Sequence, residues 1–246
     1  MRILRDILGA FQFLTSIPMP SSRSAPELSR SAVWFPLVGF AIGAAAVFIH
    51  RILSPHLDRW VCAFLVVIFL TLITGGLHED GLADVADAFG GGWNREQILL
   101  ILRDSRIGSY GAIALIFSLT SRWLLIAVLP AHRFTGTMIS AQILCRWTVL
   151  PLGRFLKSAR GDQGQGARIA KQLRLGTLAV ESLFVFGVTV FFLRWDSWKP
   201  IVAAIAIVIL SSAYYKHRIG GVTGDCFGAT TQLTEIAVYL CGAWNV

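Results

Sequence analysis

Seven apolar segments alternate with polar, glycine-rich stretches along the chain, at roughly residues 31–50, 60–77, 110–129, 134–152, 175–193, 200–215 and 233–246. A membrane-crossing helix needs about 20 mainly apolar residues, within a range of about 17–25. The first five segments meet that length and the last two fall short of it. The pattern predicts an all-α fold: a polytopic transmembrane helical bundle with about six to seven spans, built as a single domain over residues 1–246. Ahead of the first span, Ile3, Leu4, Ile7, Leu8, Phe11 and Leu14 recur at helical spacing, while Arg2, Arg5, Asp6 and Gln12 take other faces. Residues 1–20 are therefore expected to form an amphipathic helix lying in the membrane interface or packed beneath the bundle. Arg5 and Asp6 interrupt the apolar run, and Pro18 and Pro20 follow, which speaks against a signal peptide.

Composition strengthens the membrane reading. The chain is 55% hydrophobic and only 15% charged, against about 25% charged in a soluble domain. The net charge of +8 comes from basic residues set between apolar runs, with no basic stripe interleaved with exposed aromatics. That pattern points to a lipid bilayer and phosphate, and away from nucleic acid. With the N-terminus inside, Lys and Arg on the inner segments outnumber those outside (Arg51, Arg59, Arg133, Arg194 and Lys199) by roughly three to one. This supports a cytoplasmic N-terminus and an odd number of spans. It also places the polar stretches 78–109, 153–174 and 216–232 together on the cytoplasmic face, where a site is expected. The four cysteines form no CxxC pair, and Cys62, Cys145 and Cys241 read as small core residues.

Three stretches carry candidate chemistry. In His78-Glu-Asp-Gly-Leu-Ala-Asp-Val-Ala-Asp-Ala, Asp80, Asp84 and Asp87 are spaced i, i+4, i+7 and share one helix face. Two unit charges about 6 Å apart repel by roughly 3 kcal/mol at an effective dielectric of about 20. No Lys or Arg lies nearby in sequence, so either the face is solvated or it binds a divalent cation. Its position at the membrane edge favours the cation, and oxygen ligands select Mg²⁺, Mn²⁺ or Ca²⁺. Glu79 falls on another face and is expected to be solvated or to stand behind the ligands. His78 is placed to touch phosphate or to support the ligands.

In Arg103-Asp-Ser-Arg-Ile-Gly, Arg103 and Arg106 flank Asp104, and both arginines suit phosphate as well as positive-inside flanking. In Gly220-Gly-Val-Thr-Gly-Asp-Cys-Phe-Gly-Ala, Asp225 serves a metal or a substrate hydroxyl, or else caps the last helix. Arg146, inside a span, is expected to reach a phosphate or a membrane-face carboxylate, with Glu235 as candidate partner. Arg122 and Glu181 are explained by snorkelling or by an internal pair.

Together these stretches resemble the cobalamin synthase family, the adenosylcobinamide-GDP ribazoletransferases. The family's pattern reads here as Gly75-Gly-Leu-His-Glu-Asp-Gly-Leu-Ala-Asp-Val-Ala-Asp87. The Arg-Asp-Ser-Arg motif is matched at 103–108, and the last glycine-rich motif at 220–229. Softer matches run from Phe11 through Phe13-Leu-Thr-Ser-Ile-Pro-Met-Pro20 and Phe35-Pro-Leu-Val-Gly-Phe-Ala-Ile-Gly43 to Arg146.

The resemblance implies a Mg²⁺-dependent enzyme of the bacterial inner membrane. It would join adenosylcobinamide-GDP to α-ribazole or α-ribazole 5′-phosphate, with release of GMP. Carried onto this chain, Asp80, Asp84 and Asp87 are expected to hold Mg²⁺, with Asp225, Arg103 and Arg106 catalytic. His78, Asp104, Arg146 and Gly224 are expected to contact substrate. A CDP-alcohol transferase is the near alternative, but there Ala-Arg follows where Ala83-Asp84 stands here. A cation transporter would need midplane carboxylates or repeated halves, and the sequence shows no repeat.

Overall fold

The protein is described here by a computed structural model covering residues 2–19, 28–161 and 173–244, so Pro20, Arg23, Arg168 and Lys171 lie outside the described residues. The described chain is helical, with only an isolated bridge between Ser158 and Val222. Helix α1 spans Arg2–Leu14. A short α2, Leu28–Ser31, runs through one 3₁₀ turn into α3, Phe35–Leu53. Then follow α4 (Arg59–Ile73), α5 (Leu77–Gly91), α6 (Arg95–Ile101), α7 (Ser109–Val128), α8 (Ala131–Trp147) and α9 (Val149–Phe155). The chain closes with α10 (Leu175–Leu193), α11 (Trp198–Ile219) and α12 (Gly224–Ala243).

All seven apolar segments became helix, but they divide into two kinds. By length and apolarity alone, Leu28–Leu53, Ser109–Val128 and the stretch Leu175–Ile219 suit a membrane crossing among the described residues, with the bent pair α4 and α5 as a fourth; the six to seven expected are not all of this kind. The difference has a physical reason. Helix α8 is buried along nearly its whole length and presents Thr137, Ser140, Gln142 and Arg146 to its neighbours. Helix α12 likewise buries Thr230, Thr231, Gln232, Thr234 and Glu235. It begins nine residues before the apolar segment at 233 because that polar first half faces protein rather than lipid. Both form the interior around which the lipid-compatible helices stand.

Close backbone approach makes that interior possible. Gly39 and Gly43 on α3 face α8; a Cβ on Gly39 would strike the Gln142 carbonyl, and one on Gly43 would lie 3.0 Å from the Ile139 Cα. This is the small-xxx-small packing of apolar bundles. Trp123 of α7 donates its indole N–H to the Trp60 carbonyl of α4 at 2.8 Å, fixing those two helices. Cys62 and Cys145 are buried as expected, whereas Cys241 is only partly so.

Helices α4 and α5 meet at a bend of 86°. Gly75 and Gly76, at φ 62° and 70°, make the turn in a region that favours glycine. Helix α5 carries four acidic residues, too many charges for a lipid-facing segment. The amphipathic α1 is anchored rather than loose. Asp6 pairs with Arg30 at 2.6 Å, and the Ser16 N–H donates to the Ile73 carbonyl at 2.8 Å. Ile3 and Leu4 remain exposed at its start, while Phe13 stacks on Phe35 with centroids 5.5 Å apart.

Replacing Gly39 by Leu is expected to cost about 1–3 kcal/mol of stability by overpacking. Thermal unfolding in detergent reads this as a lowered midpoint, and an unchanged midpoint would contradict the close α3–α8 contact.

Candidate active site

The three polar stretches meet at one end of the bundle. Arg95 donates to the carbonyls of Ile219 (3.0 Å) and Ala159 (2.9 Å). Arg218 donates to those of Phe89 (3.2 Å) and Gly92 (2.8 Å). Arg160 donates to the Leu102 carbonyl at 2.9 Å and approaches Asp225 at 3.4 Å. Apart from the loop carbonyl of Ala159, the acceptors lie at helix ends, where unpaired carbonyls collect.

Within this end, α5 presents Asp80, Asp84 and Asp87 along one face. Its Gly81 touches α12, where a Cβ would lie 2.9 Å from the Asp225 carbonyl and 3.2 Å from the Gly228 Cα. Two absent side chains thus bring Asp225 beside the α5 carboxylates. Burial, and then the charges of Asp80, Asp225 and Asp87, push the Asp84 carboxyl up to about 6, with Arg160 opposing. Burial also raises Asp225, against the Arg160 charge and a hydrogen bond from Thr223. The capping alternative for Asp225 is not what the helix uses. Thr223 caps α12, its hydroxyl accepting from the Cys226 N–H, which leaves Asp225 in the first turn.

Asp87 has a second task. Its carboxylate accepts from the Gly108 N–H at 2.7 Å and the Gly111 N–H at 2.8 Å, capping α7, whose own N-cap Gly108 has no side chain. Asp104 is taken up by Arg106, bound at 2.6 Å in an exposed pair, and Arg103 is exposed beside them. Their neighbours Ser105 and Ile107 line an open cavity of about 610 Å³, together with Asp80, Asp84 and the bend at Gly75 and Gly76. A second, more enclosed cavity of about 70 Å³ also reaches Asp80 and is lined by His78, Gly224 and Asp225. Burial, and then the nearby Arg146 charge, push the His78 imidazole down to about 3, so it is uncharged. Hydroxyls or ring nitrogens suit it better than phosphate.

Among the described residues, no three His, Cys, Asp or Glu side chains form a ready-made metal cage. The donor set still fits a hard divalent cation. Asp84 feels three other carboxylates, and their oxygens are the donors that Mg²⁺ prefers. Asp80 and Asp84 line the open cavity, whereas both oxygens of Asp87 already hold backbone N–H groups.

Beneath the carboxylates runs a buried polar layer that sequence reasoning misassigned. Glu79, expected to be solvated or behind the ligands, is buried and pairs with Arg122 at 2.5 Å. The bend before α5 turns this residue toward α7. Glu235 also pairs with Arg122, at 3.1 Å, and not with Arg146. Arg146 instead donates to the Gln142 carbonyl (3.1 Å) and side-chain oxygen (2.6 Å) one turn back on its own helix. Gln142 and Tyr239 complete the shell of Glu235, at 2.9 and 3.0 Å. Arg122 therefore forms an internal pair and does not snorkel, and Glu181 on α10 is half-buried.

The chain matches the Cobalamin-5-phosphate synthase family over residues 6–243. It belongs to that family. Among curated relatives, the adenosylcobinamide-GDP ribazoletransferase of Azorhizobium caulinodans is 39% identical over 96% of this chain and 94% of its own length. The proteins of the same name from Sinorhizobium medicae and Chlorobaculum parvum are 38% and 33% identical, over 95% and 98% of this chain and 94% and 96% of their own lengths. No solved structure matches significantly.

In this cobalamin-5-phosphate synthase family member, the residues that sequence reasoning missed are Arg160, which faces Asp225, and Thr231, which lines the enclosed cavity. Arg160 had a faint signal in its place beside Gly161 in a polar stretch. Thr231 had none.

Two outcomes test this arrangement. Arg122→Met leaves two buried carboxylates without a cation and is expected to destabilise the protein by about 3–5 kcal/mol, read by thermal or denaturant unfolding. Asp84→Asn in EDTA-treated protein is expected to raise the unfolding midpoint near pH 7.5 and to leave it unchanged near pH 4. Because the Asp84 pKa is raised on folding, its contribution is present below about pH 4 and is lost as the pH rises through about 6. Equal midpoints for wild type and variant at both pH values would contradict the carboxylate repulsion.

Proposed function

We propose that this chain joins adenosylcobinamide-GDP to α-ribazole, or to α-ribazole 5′-phosphate, giving adenosylcobalamin or its 5′-phosphate and GMP. The observation that carries this reading is the match to adenosylcobinamide-GDP ribazoletransferases over nearly the whole length of both chains. The convergence of Asp80, Asp84 and Asp225 at one polar end supports it.

In the reaction a ribose hydroxyl oxygen bonds to the phosphorus carrying the cobinamide arm. The phosphorus–oxygen bond to GMP breaks, and the hydroxyl proton must leave. Phosphoryl transfer depends mainly on positioning and charge neutralisation. Asp225, its pKa raised by burial, orients the hydroxyl and accepts its proton. Asp80 and Asp84, with Asp87 sharing its capped oxygens, would hold Mg²⁺. When bound, Mg²⁺ supplies the positive charge that pyrophosphate oxygens require. Arg103 and Arg106 stand at the rim to take the departing phosphate, Arg106 exchanging Asp104 for it.

The same reading makes the chain one integral domain of a bacterial inner membrane. The apolar helices support the membrane location, and the three-to-one basic bias supports a cytoplasmic N-terminus and a cytoplasmic site; six to seven spans are reached when the buried α8 and α12 cross inside the bundle without facing lipid. Helix α1 lies in the interface.

Purified protein in detergent, given adenosylcobinamide-GDP, α-ribazole 5′-phosphate and Mg²⁺, is expected to form GMP and cobamide product in equal amounts by chromatography. EDTA should abolish turnover and Mg²⁺ restore it. Absence of product from folded protein would overturn the reaction, and turnover in EDTA would overturn the metal.

A further inference from the structure

The two cavities meet at Asp80 and differ in chemistry. Phe13, Leu77 and Asp80 line both. The enclosed one has apolar walls from Phe13, Phe35, Val149 and Phe227, and its charged lining groups are Asp80 and Asp225, with no Lys or Arg. Two residues that line it carry buried polar atoms with no hydrogen-bond partner among the described residues, the His78 Nε2 and the Thr231 Oγ1. His78 is 5% exposed and Thr231 is fully buried. Buried polar atoms left unpaired are costly, and they mark where a polar ligand atom or water belongs.

We propose that the enclosed cavity is the acceptor subsite, taking the uncharged, hydroxylated ring edge of the riboside with Thr231 and His78 as hydrogen-bonding anchors. This rests on the reaction proposed above. The unpaired groups here, an imidazole nitrogen and a hydroxyl, are neutral hydrogen-bonding partners, which suit the hydroxyls and ring nitrogens of a riboside better than a phosphate. Size narrows the choice further. An apolar cavity of about 150 Å³ accepts a benzene ring, so one of about 70 Å³ takes the edge of a ring and not a nucleotide or corrin. The apolar walls cover the faces of that ring, and Asp225 at the same cavity stands beside its hydroxyl. The open cavity, with Asp84 and about 610 Å³ of space, is left for the donor pyrophosphate.

The test is a kinetic split with an independent binding measurement. Thr231→Val keeps the shape and removes the hydroxyl; Thr231→Ser keeps the hydroxyl and controls for folding. Thr231→Val is expected to raise the KM for α-ribazole up to about tenfold, the worth of a hydrogen bond between neutral groups, while the KM for adenosylcobinamide-GDP stays within about twofold. Thr231→Ser should recover most of the loss. An unchanged acceptor KM, or a shift confined to the donor, overturns the assignment. Calorimetric titration of α-ribazole alone separates the two readings. Thr231-dependent binding without turnover would sink the reaction and keep the subsite, whereas turnover with Thr231-independent binding would sink the subsite alone.

Discussion

An ionised group inside an apolar bundle is tolerable only when its partners are fixed, and this bundle fixes one guanidinium between two carboxylates. Arg122 on α7 holds Glu79 on α5 and Glu235 on α12. Thr71 of α4 donates to Glu79, and Gln142 of α8 to Glu235, so five helices join at one polar layer. The layer sets the rotation of α5. With Glu79 held inward toward Arg122, its neighbour Asp80, one residue or about 100° further round the helix, is turned to the cavities. The carboxylate face therefore inherits its direction from a charge pair it does not contain.

That face divides its labour. Asp87 stabilises the start of α7 by accepting two backbone N–H groups. Asp80 and Asp84 are left toward the open cavity, and Asp225 is delivered to them through the Gly81–Gly228 contact. Carboxylates on one helix face thus take unequal roles, because each meets a different neighbour. The arginines follow the same logic. Arg95 and Arg218 tie carbonyls, whereas Arg160 also leans on Asp225.

Helix existence, the convergence of three polar stretches and the clustering of Asp80, Asp84 and Asp87 on one face were legible in the sequence because each rests on local periodicity or composition. The ends of α10 coincide with an apolar run, since lipid-facing helices record their environment in every residue. Helices α8 and α12 were expected to be lipid-facing spans like the others, because a buried helix in a polar interior and a lipid-facing one share much of their composition. The Arg122 pairings were illegible: Glu79 and Glu235 lie 43 and 113 positions away, and only the bend and the packing bring them together. Thr231 was hidden for a related reason, since an unpaired hydroxyl is a property of its surroundings and not of its sequence neighbours.

The bend at Gly75 and Gly76 also decides direction. Trp60 at the start of α4 meets Trp123 far along α7, while Thr71 and Leu72 near the end of α4 share a groove with Leu119 and Thr120. The two helices therefore run antiparallel, and the segment between them starts and finishes at the same end of the bundle. A chain that continued straight through the two glycines would begin α7 from the opposite end. Its guanidinium would then sit at the wrong depth for either carboxylate, so the pair of glycines sets the parity of everything that follows.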